Sequence, residues 1–200
     1  FMSEKTKSQG LKIKDIITVV LLSLINVVIF MVSSLLYLTP ITVLAMPVLY
    51  GLVEGIVFFT IGTRVKARGA LLLYCVVRGV MGFYLPYIIC YLVAGVAAEL
   101  IMAKTGYANV KGLTVSYIIA EVLGALGGTF YPYVIAADSF FANADEMLKT
   151  GELNENVLEA SKMISSWGSL VLLAAILLSS FIGALIGRKV VKKHLLSESA

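Results

Sequence analysis

Charge is scarce in this chain. Only 14% of its 200 residues are Asp, Glu, Lys or Arg, while 60% are hydrophobic. Soluble domains carry about 25% charged and about 45–50% apolar residues, so a surplus of this size has no water-soluble core to hold it. Histidine is nearly missing: His194 stands alone in the basic C-terminal segment. A nickel, cobalt or zinc site built on imidazole is therefore not expected. Neither a Ser–His pair nor an HExxH helix exists for intramembrane proteolysis. The two cysteines, Cys75 and Cys90, fall inside apolar runs without the spacing of a metal site; they read as small buried apolar residues. A GxxxxGKS/T phosphate loop is absent, so the chain is not expected to hydrolyse ATP itself. Neither enzyme activity nor a cofactor is expected. Segments of about 10 residues with alternating polarity, the mark of a membrane β-barrel, are missing as well. Nor is a cleavable signal peptide expected, because the first apolar run is too long and lacks a small-residue cleavage site.

What is there is a set of six apolar runs: residues 13–38, 41–62, the two arms of a hairpin within 68–102, 113–137 and 167–187. The hairpin turns tightly at residues 83–86, and each arm has about 16–18 residues, near the lower limit for a hydrocarbon core of about 30 Å. The sequence therefore reads as an all-α integral membrane protein. It is one domain, residues 1–200, of six transmembrane helices with an amphipathic loop between the fifth and sixth. Residues 1–12 form a polar N-terminal segment, 138–166 the loop, and 188–200 a basic tail. Thr39-Pro40 ends the first helix, since the residue before proline disfavours the α conformation. Gly51/Gly55 and Gly183/Gly187 have the GxxxG spacing that lets helix backbones approach closely. No internal repeat relates the runs.

Thirteen of the 16 Lys and Arg lie in the two terminal segments and in the loops at 63–68 and 103–112. The opposite face holds only Lys149 and Lys162 against six acids, Asp138, Asp145, Glu146, Glu152, Glu155 and Glu159. This asymmetry predicts a multi-pass protein of the bacterial cell membrane with both termini cytoplasmic. It also explains the net charge of +4, so the lipid bilayer and not nucleic acid is the expected partner.

Four ionisable residues, Glu54, Arg78, Glu99 and Glu121, fall within or near apolar runs, where each needs a partner, water or a function. Two readings of Arg78 stand side by side. It pairs internally with Glu54 or Glu121, or it meets an anionic or polar ligand group at the floor of an outward cavity. Glu99 lies near the cytoplasmic end of its span and is a candidate contact for a partner protein. Tyr37, Tyr84, Tyr87, Tyr91, Tyr131, Tyr133 and Trp167 gather toward the outer face, as an aromatic belt or as a stacking surface for a planar ligand. The loop at 138–166 is polar overall but holds large apolar residues, among them Phe141, Leu153 and Val157, at partly helical spacing. It is expected to fold as one or two short helices over the outer mouth.

Three stretches add a likeness: Pro47-Val48-Leu49-Tyr50-Gly51, Gly95-Val96-Ala97-Ala98-Glu99-Leu100-Ile101, and the segment from Gly183 to His194. In order and spacing they resemble the substrate-binding S components of energy-coupling-factor (ECF) transporters, within them the group labelled Trep_Strep or MptE-like. The resemblance implies a subunit that captures a vitamin-like micronutrient from outside. A separate membrane coupling subunit and two ATPase subunits would then drive its release inside. Many S components mark the coupling contact with an Ala-xxx-Ala pattern on the first helix. Here Ser23 and Val27 stand nearest to it, which makes them, with Glu99, the candidate docking residues. The candidate ligand residues are Arg78, Tyr84, Tyr87, Tyr91, Tyr131, Tyr133 and Trp167. The tyrosines favour a flat ligand and Arg78 an anionic group, hints that suit many vitamins and also a porphyrin. A rival reading makes the chain a stand-alone ion- or proton-coupled transporter using Glu54, Arg78 and Glu121. A third makes it a membrane enzyme or an assembly scaffold.

Overall fold

The structure, a computed structural model, describes residues 10–107, 109–164 and 166–194, with only the backbone described at Ser166 and His194. Lys5 and Lys7, the side chain of His194 and the end of the tail at 195–200 lie outside the described residues. Among the described residues the secondary structure is helical, apart from one isolated bridge between Gly10 and Arg68. Helix α1 (Ile13–Ser33) starts where the Lys12 N–H donates to the Asp15 carboxylate at 3.0 Å. It tightens into a 3-10 turn, Ser34–Leu38, and stops at Thr39, whose extended backbone (φ −144°) precedes Pro40. The Thr39 hydroxyl then accepts from the Thr42 N–H at 3.2 Å, capping the next helix. That helix is α2 (Pro40–Val53), which continues as α3 (Gly55–Arg64) after a one-residue loosening at Glu54. The remaining elements are α4 (Ala70–Val80), α5 (Leu85–Thr105), α6 (Val110–Ala125) with a π-helical continuation Leu126–Ile135, α7 (Ala137–Phe140), α8 (Ala144–Thr150), α9 (Glu155–Met163) and α10 (Ser166–His194). The expected tail beginning at Arg188 is thus, as far as it is described, more of the last helix.

Among the described residues, five stretches are long and apolar enough to cross a membrane: Ile13–Leu38, Pro40–Arg64, Leu85–Thr105, Val110–Ile135 and Trp167–Lys193. The sixth expected span is only the 11-residue α4. At 1.5 Å per residue it is about 16 Å long, roughly half of a 30 Å core. The two hairpin arms are therefore unequal: α4 begins only after the turn at Gly69 and already ends at Val80, where residues 81–84 leave the helix. Val65 and Ala67 are buried, and Gly69 turns the chain with φ +96°. One oxygen of Glu99 accepts from the N–H groups of Leu71 at 3.2 Å and Leu72 at 3.4 Å. The first turn of α4 so begins inside the protein, with its free donors met by a carboxylate.

The two GxxxG pairs meet each other. A Cβ on Gly183 would run into the Gly51 carbonyl oxygen, and one on Gly187 into that of Gly55. Backbone contact of this kind lets α10 lie directly along α2 and α3. Residues 138–164 fold into short helices packed on one end of the bundle. Leu153, Val157 and Ala160 bury with Val43 of α2 against Tyr37 and Tyr133. The Asn156 amide donates to the Tyr37 carbonyl at 2.7 Å, and the Phe140 ring meets the Tyr84 ring edge-on at 5.7 Å.

Candidate functional site

Charge is concentrated where α2, α4 and α6 face one another. Arg78 Nε lies 3.1 and 2.9 Å from the two oxygens of Glu54, and Nη2 lies 2.7 Å from Oε1. The arginine side chain is 2% exposed and the glutamate 0%. A fork this well aligned is the geometry in which a buried pair offsets its own desolvation. The second Glu54 oxygen also accepts from the Tyr74 hydroxyl at 3.4 Å, and that hydroxyl accepts from the Asn26 amide at 2.8 Å. Tyr50, Tyr87 and Tyr91 place their rings 5.2, 5.5 and 5.6 Å from the guanidinium carbon, within reach of a cation–π attraction.

Beside this pair opens a cavity of about 210 Å³. Arg78 and Glu121 are the charged side chains in its lining, Thr129 adds a hydroxyl, and Tyr37, Tyr50, Tyr84, Tyr87, Tyr91 and Tyr133 supply rings. Met46, Pro47 and Val43 complete the α2 wall. A second space of about 610 Å³ shares Tyr37, Tyr84, Gly128 and Tyr133 with it and is covered by Phe140, Met147, Leu153 and Val157. The cavity therefore leads toward the short helices. Glycines on α6 and its π-helical continuation make room for the facing tyrosines: Gly124 lies against the Tyr91 ring and Gly128 against the Tyr87 ring. The π-helical stretch carries Thr129 and Tyr133, and π-helical turns recur at functional sites. Tyr84 sits outside the spans, where burial, and next the neighbouring Tyr131, push its phenol above the usual value. At neutral pH it remains a hydroxyl.

One helical turn further along each element the chemistry changes. Phe58, Tyr74 and Tyr117 stand four residues from Glu54, Arg78 and Glu121 and are fully buried. The Phe58 ring lies 5.3 Å from both the Tyr74 and Tyr117 rings, and Phe59 adds a fourth ring 6.4 Å from Tyr117. The cavity thus ends on a charged layer backed by a layer of packed aromatics.

The structure brings Arg78, Tyr84, Tyr87, Tyr91 and Tyr133 around one space, and it pairs Arg78 with Glu54 while Glu121 keeps apart. Tyr131, 38% exposed, and Trp167, 79% exposed, are not in the cavity lining; two residues apart on one helix, Tyr131 and Tyr133 face opposite ways. The docking candidates fare differently. Ser23 is fully buried and its hydroxyl donates to the Val19 carbonyl at 2.7 Å, so it offers no surface to a partner. Val27 is half-buried. Both oxygens of Glu99 are engaged, one in capping α4 and the other accepting from the Tyr107 hydroxyl at 3.1 Å. Sequence reasoning left Met46, Tyr50 and Thr129 out of the site. The spacing of Val43, Met46, Pro47, Tyr50 and Glu54 along one face of α2 was the signal that would have found two of them. Among the described residues no cluster of His, Cys, Asp and Glu is suited to a metal ion.

Spanning-length apolar helices gathered around a buried ion pair define a multi-pass integral membrane protein. More narrowly, the chain belongs to the Trep_Strep family, described as hypothetical bacterial integral membrane proteins, whose family model matches residues 13–196. No curated protein and no solved structure matches it.

Proposed function

We propose that this protein is the substrate-capture subunit of an ECF-type importer, taking a vitamin-like micronutrient from outside the bacterial cell. It would hand the ligand on through a separate coupling subunit and two ATPase subunits. The observation that carries the reading is the cavity itself: a tyrosine-lined space at mid-bundle, open toward the short helices. The charge asymmetry of the sequence supports putting the cavity mouth and the short helices outside and both termini in the cytoplasm, with α4 counted as a sixth, shortened membrane segment. The volume supports a compact ligand. Pockets for drug-sized molecules run to about 300–1,000 Å³, so the inner space of about 210 Å³ favours a compact ligand over a porphyrin. Tyr84, Tyr87, Tyr91 and Tyr133 would contact the ligand, and Arg78 would serve mainly to hold the site's shape through Glu54. Affinity purification from native membranes tests the assembly. Recovery with one membrane partner and two ATPases is expected, and a solitary protein that moves substrate across liposomes on its own would overturn it.

A second reading has its own supporting observation. Glu121 is 4% exposed, lines the cavity and has one oxygen without a hydrogen-bond partner, as a proton carrier in a stand-alone transporter would. Substrate-dependent acidification or alkalinisation inside liposomes holding this protein alone would favour it.

A further inference from the structure

Of the two charged side chains that line the cavity, Arg78 is matched and Glu121 is not. The Arg78 guanidinium is held by both oxygens of Glu54 and by three tyrosine rings. The Tyr117 hydroxyl, one turn from Glu121, is turned toward the carbonyls of Tyr50 and Gly51 at 3.2 and 2.9 Å. The position one turn nearer the mouth, Gly124, has no side chain to offer. Glu121 itself lines the cavity at 4% exposure, and its Oε1 is buried with no donor in reach. A buried acceptor left unmet is costly and needs an explanation. The cavity supplies the space for one.

We propose that Glu121 is the recognition residue for a compact, single-ring ligand bearing a cationic nitrogen, an amidinium or ammonium group, which its carboxylate pairs. This rests on the substrate-capture reading and names the class of substrate. It replaces the expectation of an anion at Arg78, whose charge Glu54 already balances. The tyrosine rings that line the rest of the cavity suit the body of such a ligand, since aromatic faces attract both planar rings and cations. A bare metal ion is a poor fit, because one carboxylate among rings falls well short of the six to eight oxygens that calcium, for example, takes up.

The test uses detergent-solubilised full-length protein and two minimal probes of one shape, benzamidine and benzoate, with affinities read by titration calorimetry. Saturable binding of benzamidine, at least about tenfold tighter than that of benzoate, is expected, as is a loss of about tenfold or more in Glu121→Gln. The probe contrast on the unaltered protein needs no variant, so a poorly folding Glu121→Gln would not spare the proposal. Equal or tighter binding of benzoate overturns it, as does benzamidine affinity unchanged in a folded Glu121→Gln or saturable binding of neither probe. The capture reading is judged apart from this, by native mass spectrometry. A retained small molecule that carries no cationic nitrogen would preserve capture and sink the role given to Glu121.

Discussion

Among the described residues Arg78 and Glu54 are each other's only charged neighbours at hydrogen-bond distance, and both are buried. Removing one member strands the other, at a cost of about 3–5 kcal/mol. Arg78→Gln and Glu54→Gln are therefore each expected to lower the unfolding midpoint of the solubilised protein strongly. The double variant should recover much of the loss, and additive losses would show that the pair is not coupled. Glu121→Gln is expected to leave the midpoint unchanged or raise it, because it puts a neutral amide in place of a buried acid that Arg78 does not pair. The three acidic and basic residues at mid-bundle were legible in the sequence, since buried charge in an apolar run announces itself. Which glutamate pairs with Arg78 was not. That choice depends on how α2 and α6 are rotated about their axes, and no local pattern encodes it. Tyr50 went unnoticed for a related reason. A tyrosine in an apolar helix carries no charge to flag it, and only the shared face with Glu54 gives it away.

At the level of elements, the paired glycines are the clearest case of a signal read correctly but left incomplete. Gly51/Gly55 and Gly183/Gly187 each stood out by spacing, yet nothing in the sequence said that the two pairs touch. Gly183→Ala is expected to destabilise the protein by about 1–3 kcal/mol, as overpacking does, because the atom its methyl meets is backbone and cannot swing aside. Gly10→Ala, with open space around it, is the control. The π-helical stretch was invisible for another reason. Its residues look like an ordinary helix, and the wider pitch accompanies Pro132, which lacks a donor, and close packing on Tyr87. Helices in the polar loop were anticipated from its apolar residues as one or two; the structure has three short ones, anchored on Tyr37 and Tyr84. Val157→Asp should loosen them. Hydrogen exchange at residues 144–163 is expected to rise while α5 and α10 stay protected, and unchanged exchange would mean that Val157 does not hold the segment down.

For the whole molecule, the boundaries of the first, second and fourth long helices were read to within a few residues, because proline, glycine and charge mark them. The length of α4 was misjudged, since the apolar Met81-Gly82-Phe83 that follows it leaves the helix yet looks like more of it. Orientation rests on charge alone and has a direct check. In a background with Cys75→Ala and Cys90→Ala, an impermeant maleimide added to intact cells is expected to label Asn154→Cys and not Lys66→Cys; the reverse pattern would invert the protein. The aromatic layer of Phe58, Tyr74 and Tyr117 beneath the charged residues has a consequence for energetics. On the substrate-capture reading it would leave the chain a vessel with one opening, equilibrating with a single compartment at a time. Its occupancy would then report concentration on that side only. Accumulation against a gradient would require work done on the vessel as a whole, because parting the layer would separate rings packed 5.3 Å apart.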